Sequence, residues 1–317
     1  MARQASRSAD IQKLRSLADD PDEAAAFALE LLSKARNKQV LLAALETLAD
    51  TSHDNRLVRP ALIECYADYS QNAVKRDPAA PVRAACLRAL RPVAVQVDLP
   101  LLEAAAQTYE EVPPGFHEEA GVLRATALTV INDLDQHLAS FHAARLLYDP
   151  RDAQSMVMSG EPALTAVAVL ANADQRPLIY SYALQDDQNV VGEAVSAALR
   201  ALAEIPGSLL SALVERHQDS LDDLILAGLF DCLLRHPDGR DYQDLVASFL
   251  RETRRFALHR YLATEIVAQR QPAWLDLLRS AALDEKATQR RENYIEAIEL
   301  LAHEPEWKPL LEKLKAT

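Results

Sequence analysis

The feature that most constrains this chain is a helical spacing of apolar residues that continues almost without interruption along its 317 residues. Apolar side chains recur three and four positions apart, as in Val40, Leu41, Ala44, Leu45 and Leu48. That spacing places them on one stripe of an α-helix, and the stripe must then pack against another helix. The sequence therefore predicts an all-α fold.

Short breaks separate the helical segments, and they contain residues that start or stop helices. Proline has a helical φ and lacks an N–H, so it is favoured in the first turn of a helix. The breaks are Asp77-Pro78, Asp149-Pro150, Glu161-Pro162, the segments 205–207 and 236–239, and Gln271-Pro272. Between them lie segments of about 11 to 20 residues, an ordinary length for helices in globular proteins.

Alternate helices are alike, which indicates an internal repeat of helix pairs. The second helix of each pair is predicted to begin near Asn37, Pro78, Phe116, Gly160, Gln188, Ser220, Arg255 and Glu285. These positions recur about every 27 to 42 residues, a period typical of repeated helix pairs that bury their second face against neighbours. Within such a helix, Leu199 is expected to be buried.

Two stretches resemble the second helix of a HEAT repeat. Residues 77–90 carry a turn aspartate and proline, a Val-Arg pair and small residues before a leucine; residues 186–199 repeat this pattern in a weaker form. The resemblance implies one domain over residues 1–317, a right-handed α-α superhelix (solenoid) of about eight HEAT-like helix pairs. It also implies that Asp77 and Arg83 pair within the stack.

Two parts of the chain depart from this repeat. The repeats from Asn37 to about Arg151 are predicted to have long first helices, for instance one from Arg56 to Arg76. Near residues 149–161 the spacing changes from long repeats to short ones, so this segment is either an irregular repeat or a hinge. We favour the irregular repeat, because each unit of a solenoid already contacts only its neighbours.

The sequence contains no motif that indicates catalysis, a metal site or a cofactor. Cys65, Cys86 and Cys232 are far apart in sequence and are expected to be buried free thiols in a reducing compartment. Adjacent acids are expected to cap helices, and Glu299 with His303 is expected to form a surface contact one helical turn apart. We therefore predict no catalytic residue, no metal and no cofactor.

Charge and hydropathy disfavour some classes of partner. The formal net charge of −13 disfavours nucleic acid, whose binding depends on lysine and arginine. The polar N-terminus does not resemble a secretory signal, and the apolar stretch 162–173 is too short for a membrane span. A cytoplasmic protein is expected.

The predicted function is a non-enzymatic scaffold or adaptor that binds another protein on the concave face of the solenoid, where the second helices lie. Arginines are concentrated near residue 255, and they form either a docking site for an acidic segment of the partner or a solvated helix end. We favour the solvated helix end, because the helix break predicted between Thr253 and Arg255 would scatter the arginines. The predicted partner-binding residues are Arg88, Arg124, Arg251, Arg254, Arg255 and Trp274. Two alternatives remain: a HEAT-like nucleic-acid enzyme of the DNA glycosylase type, and a helper protein similar to the HEAT-like bilin lyases.

Overall fold

The computed structural model describes residues 2–34, 37–51, 56–115, 117–149, 160–185, 190–283 and 285–316, with side chains from residue 9 onward. The described chain is predominantly helical, which confirms the prediction of an all-α fold. It separates into two compact units, residues 1–175 and 176–317, which we call unit 1 and unit 2.

Unit 1 consists of helices with one small hairpin. The helices are α1 (Ala2–Ser16), α2 (Pro21–Lys34), α3 (Lys38–Asp50), α4 (Val58–Ser70), α5 (Ala73–Arg76), α6 (Pro81–Leu90), α7 (Leu99–Ala106), α8 (Gly121–Leu134), α9 (Gln136–Leu147) and α10 (Ala163–Asn172). The antiparallel hairpin of β1 (Glu111–Val112) and β2 (His117–Glu118) lies between α7 and α8. Short 3-10 helices, Arg91–Val93 and Gln96–Asp98, follow α6.

Over its described residues, the regular elements of unit 2 are helices. Its helices are α11 (Arg176–Ala183), α12 (Gly192–Ala201), α13 (Gly207–His217), α14 (Asp223–Arg235), α15 (Gln243–Glu252), α16 (Phe256–Gln269), α17 (Pro272–Leu283), α18 (Thr288–Glu299) and α19 (Lys308–Ala316). Two 3-10 helices, Pro237–Tyr242 and Pro305–Trp307, precede α15 and α19.

The predicted second helices pack one after another within each unit. In unit 1, α3 contacts α6, α6 contacts α8 and α8 contacts α10. In unit 2, α12 contacts α14, α14 contacts α16 and α16 contacts α18. Most of the second helices also pack against a helix that precedes them in the chain. Helix α6 packs against α4, and α14 packs against α13. Burial of leucine, valine and alanine side chains between these helices forms the core of each unit.

The observed second helices begin a few residues after the predicted starts. They begin at Lys38, Pro81, Gly121, Ala163, Gly192, Asp223, Phe256 and Thr288. Two of the predicted starts, Phe116 and Gln188, lie outside the described residues. Leu199 is fully buried, and the helix break predicted at Thr253 to Arg255 is present between α15 and α16. The burial of Leu199 and this helix break are confirmed.

The continuous first helix predicted from Arg56 to Arg76 is wrong. Helix α4 ends at Ser70, and Asn72 then adopts a left-handed conformation with φ of 54° before α5 begins. Asparagine tolerates this conformation better than most residues, so it ends the helix without a proline.

Most of the segment predicted as an irregular repeat or hinge, residues 150–159 within 149–161, lies outside the described residues. Both interpretations, and the prediction of one domain over residues 1–317, stay predictions. None of the described helices has the length and apolar character needed to cross a membrane.

Candidate functional site

A groove of about 300 Å³ lies on the second helices of unit 1, and we call it the second-helix groove. Helices α6 and α8 and the start of α10 form its walls, because these helices pack side by side. Its lining residues are Arg88, Arg91, Val122, Ala125, Thr126, Thr129, Val130, Glu161 and Thr165. The groove therefore contains two arginines that the repeat pattern places at the end of one second helix.

The two arginines of the groove differ in their partners. Arg91 donates from Nε to Asp133 Oδ2 at 2.5 Å and from Nη2 to Asp133 Oδ1 at 3.3 Å. This hydrogen bonding raises the pKa of Arg91. Arg88 is exposed, and among the residues that the structure describes it has no ion-pair partner. Arg88 thus presents to the groove a guanidinium group that has no ion-pair partner among the described residues.

Polar and apolar groups around Arg88 complete the groove. The hydroxyls of Thr126 and Thr129 donate to carbonyl oxygens one turn earlier in α8, at 2.8 and 3.0 Å, which leaves oxygen lone pairs able to accept. Glu161 Oε2 accepts from the backbone N–H of Thr165 at 3.1 Å and so caps the start of α10. Val122 is partly exposed and adds an apolar edge.

Arg124 was predicted to contact a partner, and this prediction is wrong. Its side chain is completely buried and donates to both carboxylate oxygens of Glu118 at 2.7 Å. A third bond joins Arg124 Nη1 to the carbonyl of Thr108 at 2.8 Å, and the ring of Tyr109 lies against the guanidinium. Glu118 lies in β2, and Thr108 and Tyr109 lie just before β1; the sequence pattern did not predict this hairpin.

Burial raises the pKa of Glu118, but hydrogen bonds and charge attraction from Arg124, with hydrogen bonds from two backbone N–H groups, outweigh burial. The net result is a lowered pKa of Glu118. The N–H groups belong to Glu110 and Ala120, at 3.1 and 2.8 Å from Oε1. A carboxylate that accepts this many charge-assisted bonds is held ionised, which makes this cluster a structural one.

A second buried cluster joins neighbouring elements of unit 1. Asp77 pairs with Arg83 at 3.3 Å, which confirms the pairing implied by the HEAT resemblance. Arg83 Nη2 also lies 2.7 Å from Glu110 Oε1, and Lys38 Nζ lies 3.1 Å from Asp77 Oδ1. Asp77 further accepts from the backbone N–H of Val82 and thereby caps α6. These charged side chains pair with one another, so they stabilise the fold of unit 1 and do not form a ligand-binding site.

Trp274 was also predicted to contact a partner, and this prediction is wrong because its side chain is only 1% exposed. It lies in the first turn of α17 on the same stripe as the buried residues Leu278, Ala281 and Ala282. Residues four, seven and eight positions further along a helix share one face. Trp274 is thus the first member of the apolar stripe of α17.

The arginine cluster of unit 2 is divided by the break between α15 and α16. Arg251 donates to Ser280 Oγ at 3.3 Å, whereas Arg255 binds Asp223 Oδ1 at 3.1 Å and the carbonyl of Ser220 at 3.0 Å. Arg254 is exposed, with no ion-pair partner in the described part of the chain. The structure does not bring the three together as one site, and their role in partner binding stays a prediction.

The predicted surface contact between Glu299 and His303 is wrong. Glu299 lies 2.6 Å from Lys315 Nζ, and His303 lies 3.5 Å from Glu304. Helix α18 ends at Glu299, so the two residues are not on one continuous helix. Over the described residues, no group of three or more histidine, cysteine or acidic side chains is arranged to hold a metal ion.

One polar cluster of unit 2 was missed by sequence reasoning. Arg200 Nε and the hydroxyl of Tyr261 both donate to Asp231 Oδ2, at 2.6 and 2.7 Å. Burial and then the bond to Asp231 raise the pKa of Tyr261 to about 12. The three residues are 31 and 30 positions apart, close to one repeat, so matching equivalent positions of α12, α14 and α16 could have found them.

Comparisons of the chain with protein-family models, with curated proteins and with solved structures give no match. The function must therefore be argued from the geometry of the second-helix groove and its surroundings.

Proposed function

We propose that this chain is a non-enzymatic protein–protein interaction scaffold, built as a right-handed HEAT-like α-α superhelix. Its second-helix groove binds an acidic segment of a protein partner. The observation that carries this proposal is the exposed guanidinium of Arg88, which has no ion-pair partner among the described residues and lines a groove that also offers threonine hydroxyls.

The serial packing of second helices in each unit supports a superhelix of HEAT-like repeats, because stacked helix pairs produce this order of contacts. Hydrogen bonds from polar side chains that follow two second helices also support this proposal. Gln96 follows α6 and donates to the carbonyl of Leu134 at the end of α8, at 2.7 Å. Gln271 follows α16 and donates to the carbonyl of Leu234 near the end of α14, also at 2.7 Å. Such bonds satisfy helix-end carbonyls from the neighbouring repeat.

The chemistry of the groove favours a carboxylate partner. A guanidinium can bind both oxygens of a carboxylate at once, and charge-assisted bonds of this kind are stronger than neutral ones. The partly exposed Val122 adds an apolar contact beside Arg88. The net charge of −13 counts against a long nucleic-acid backbone, which requires many cations rather than one.

The test compares the wild-type protein with Arg88→Glu and with the control Arg240→Glu. Arg240 is an exposed arginine of unit 2 and lies far from the groove in sequence. Its replacement by glutamate changes the net charge by the same amount as Arg88→Glu. Each protein is immobilised on a support and incubated with a native cell lysate. The proteins that it retains are identified by mass spectrometry. An acidic peptide from the captured partner is then titrated against all three proteins by calorimetry.

We expect the wild type and Arg240→Glu to retain the same partner and to bind its acidic peptide equally. Arg88→Glu should lose at least about tenfold in affinity, since a bond between charged groups contributes about 1.5–3 kcal/mol. Equal binding by Arg88→Glu would refute the groove as the site. Retention of nucleic acid in place of a protein would favour the glycosylase-type alternative.

A further inference from the structure

A second, larger cavity of unit 1 has a volume of about 610 Å³ and lies beside α4. Its lining includes the thiol-bearing residue Cys65, the apolar Leu41 and Tyr69, and the ion pair of Arg76 with Asp68. Cys65 is partly exposed and lines this cavity, so a small molecule that enters the cavity meets this residue. Neither the second-helix groove nor the buried ion pairs include this residue.

The fold brings a second thiol to Cys65. Cys65 lies on α4 and Cys86 on α6, and these two helices pack against each other as one repeat. The two thiols are joined by a hydrogen bond, and Cys86 is only 1% exposed. Cys65 therefore lines the cavity, and its partner Cys86 is buried.

The surroundings make the two thiols unequal. The hydrogen bond from Cys86 lowers the pKa of Cys65 and outweighs the opposing effects of burial, Asp68 and Asp77; Arg76 lowers it further. The same bond, together with burial, raises the pKa of Cys86 well above its ordinary value. Cys65 is thus the better thiolate, and a thiolate is the form of cysteine that reacts with oxidants.

We propose that Cys65 and Cys86 form an oxidation-sensitive pair that reacts with a small hydroperoxide entering the cavity. The Cys65 thiolate attacks the terminal oxygen of the hydroperoxide, an S–O bond forms, and the O–O bond breaks. The electron pair of that bond leaves with the alkoxide or hydroxide, which takes a proton from water. Cys65 is then a sulfenic acid and the hydroperoxide has been reduced to an alcohol or to water.

The second step closes a disulfide between the two helices. The sulfur of Cys86 attacks that of Cys65, the S–S bond forms, and the S–O bond of the sulfenic acid breaks. The departing hydroxyl takes the thiol proton of Cys86 and leaves as water. An external dithiol restores both thiols by exchange, so the modification is reversible.

The chain provides its own control in Cys232. This residue is completely buried, and burial together with the nearby Asp231 raises its pKa to about 12. Cys232 is therefore protonated and inaccessible under conditions in which Cys65 reacts.

The experiment treats the reduced full-length protein with one equivalent of hydrogen peroxide near neutral pH and maps its peptides by mass spectrometry. The variants are Cys65→Ser, Cys86→Ser and the control Cys232→Ser. In the wild type and the control we expect a cross-linked Cys65–Cys86 peptide that a dithiol reverses. Cys86→Ser should stop at a sulfenic acid on Cys65, which dimedone traps. In Cys65→Ser, Cys86 should stay reduced.

A measurement on the wild type alone guards against misfolded variants. Iodoacetamide should alkylate Cys65 at least about tenfold faster than Cys232 in the reduced protein, as expected for an accessible thiolate compared with a buried thiol. Equal rates at the two cysteines would overturn the proposal. So would a peroxide product in which Cys65 cross-links two chains, or a Cys86→Ser variant that gives no sulfenic acid.

Discussion

Arg124 and Glu118 form a two-pronged ion pair inside unit 1, with Nη1 to Oε1 and Nη2 to Oε2 both at 2.7 Å. Arg124 is fully buried and Glu118 is 7% exposed, so water does not replace either partner when the other is removed. Because Glu118 lies in β2 and Arg124 in α8, the pair attaches the hairpin to the second helix that follows it.

Replacement Glu118→Gln should therefore destabilise the protein by about 3–5 kcal/mol, since it leaves the buried charge of Arg124 without its counterion. The measurement is urea unfolding at neutral pH, followed by circular dichroism. The control is Glu296→Gln, which removes one partner of the exposed Arg260–Glu296 pair and should cost less than about 1 kcal/mol. Equal losses in the two variants would contradict the structural role of Glu118.

Replacement Leu199→Ala tests the packing of α12 in unit 2. Leu199 is fully buried, so the change removes apolar contacts and leaves a cavity, which costs about 2–5 kcal/mol. The control is Leu221→Ala, because Leu221 is 90% exposed and its replacement should change the free energy of unfolding by less than about 0.5 kcal/mol. A near-zero effect of Leu199→Ala would refute this packing.

The positions of the second helices could be predicted because their signals are local. A proline or capping residue at the start and an apolar stripe over the next turns lie within one short window, as from Asp77 to Leu90. The pairing of Asp77 with Arg83 is equally local, since both residues belong to one turn and the helix that follows it. These features need no knowledge of which repeat lies next to which.

The nature of the site could be predicted only in part, because burial depends on what covers a residue. Arg88 and Arg124 both occupy second helices, yet Arg88 is exposed and the short hairpin covers Arg124. A hairpin with two residues in each strand has too little alternation to be recognised in a sequence. The meeting of Cys65 with Cys86 was missed for the same reason, since it depends on how α4 and α6 are aligned.

Glycine at position 228 allows α14 to approach α12 closely. A Cβ atom at Gly228 would lie 2.7 Å from both Cα and the carbonyl oxygen of Ser196, and these backbone atoms cannot rotate away. We expect Gly228→Ala to destabilise the protein by about 1–3 kcal/mol, the usual cost of overpacking, although alanine favours helices.

The control for this prediction is Gly207→Ala at the start of α13. There the added Cβ would meet the carboxylate of Asp238, an exposed side chain that can turn away into solvent. Its effect on the free energy of unfolding should stay within about 0.5 kcal/mol. Thermal unfolding monitored by calorimetry measures both variants, and a stabilised Gly228→Ala protein would show that the two helices can separate without loss.

His259 is the buried group whose titration most directly links stability to pH. It lies between α15 and α18, where Nε2 is 3.2 Å from the carbonyl of Leu250 and Nδ1 is 3.2 Å from the side-chain amide of Asn293. Burial lowers its pKa to about 4; the bond to Leu250 and Glu285 oppose the shift, and the positive charge of Arg290 adds to it. The ring is therefore neutral in the folded protein, with Nε2 as donor and Nδ1 as acceptor.

The sign of the pH effect follows from this lowered pKa. In the unfolded chain the pKa of His259 is about 6.5, so between that pH and about 4 the unfolded state binds a proton that the folded state does not. The stabilisation is complete above pH 6.5 and is lost as the pH falls toward 4, by up to about 3 kcal/mol.

We expect urea unfolding of the wild type to show this loss, and His259→Gln to show a smaller one. The control is His303→Gln, a change at a histidine whose side chain is 64% exposed, which should lose as much stability as the wild type. If the free energy of unfolding changed with pH by the same slope in all three proteins, His259 would gain its proton without unfolding of the protein. The protonated Nδ1 would then require a hydrogen-bond acceptor in place of the Asn293 amide.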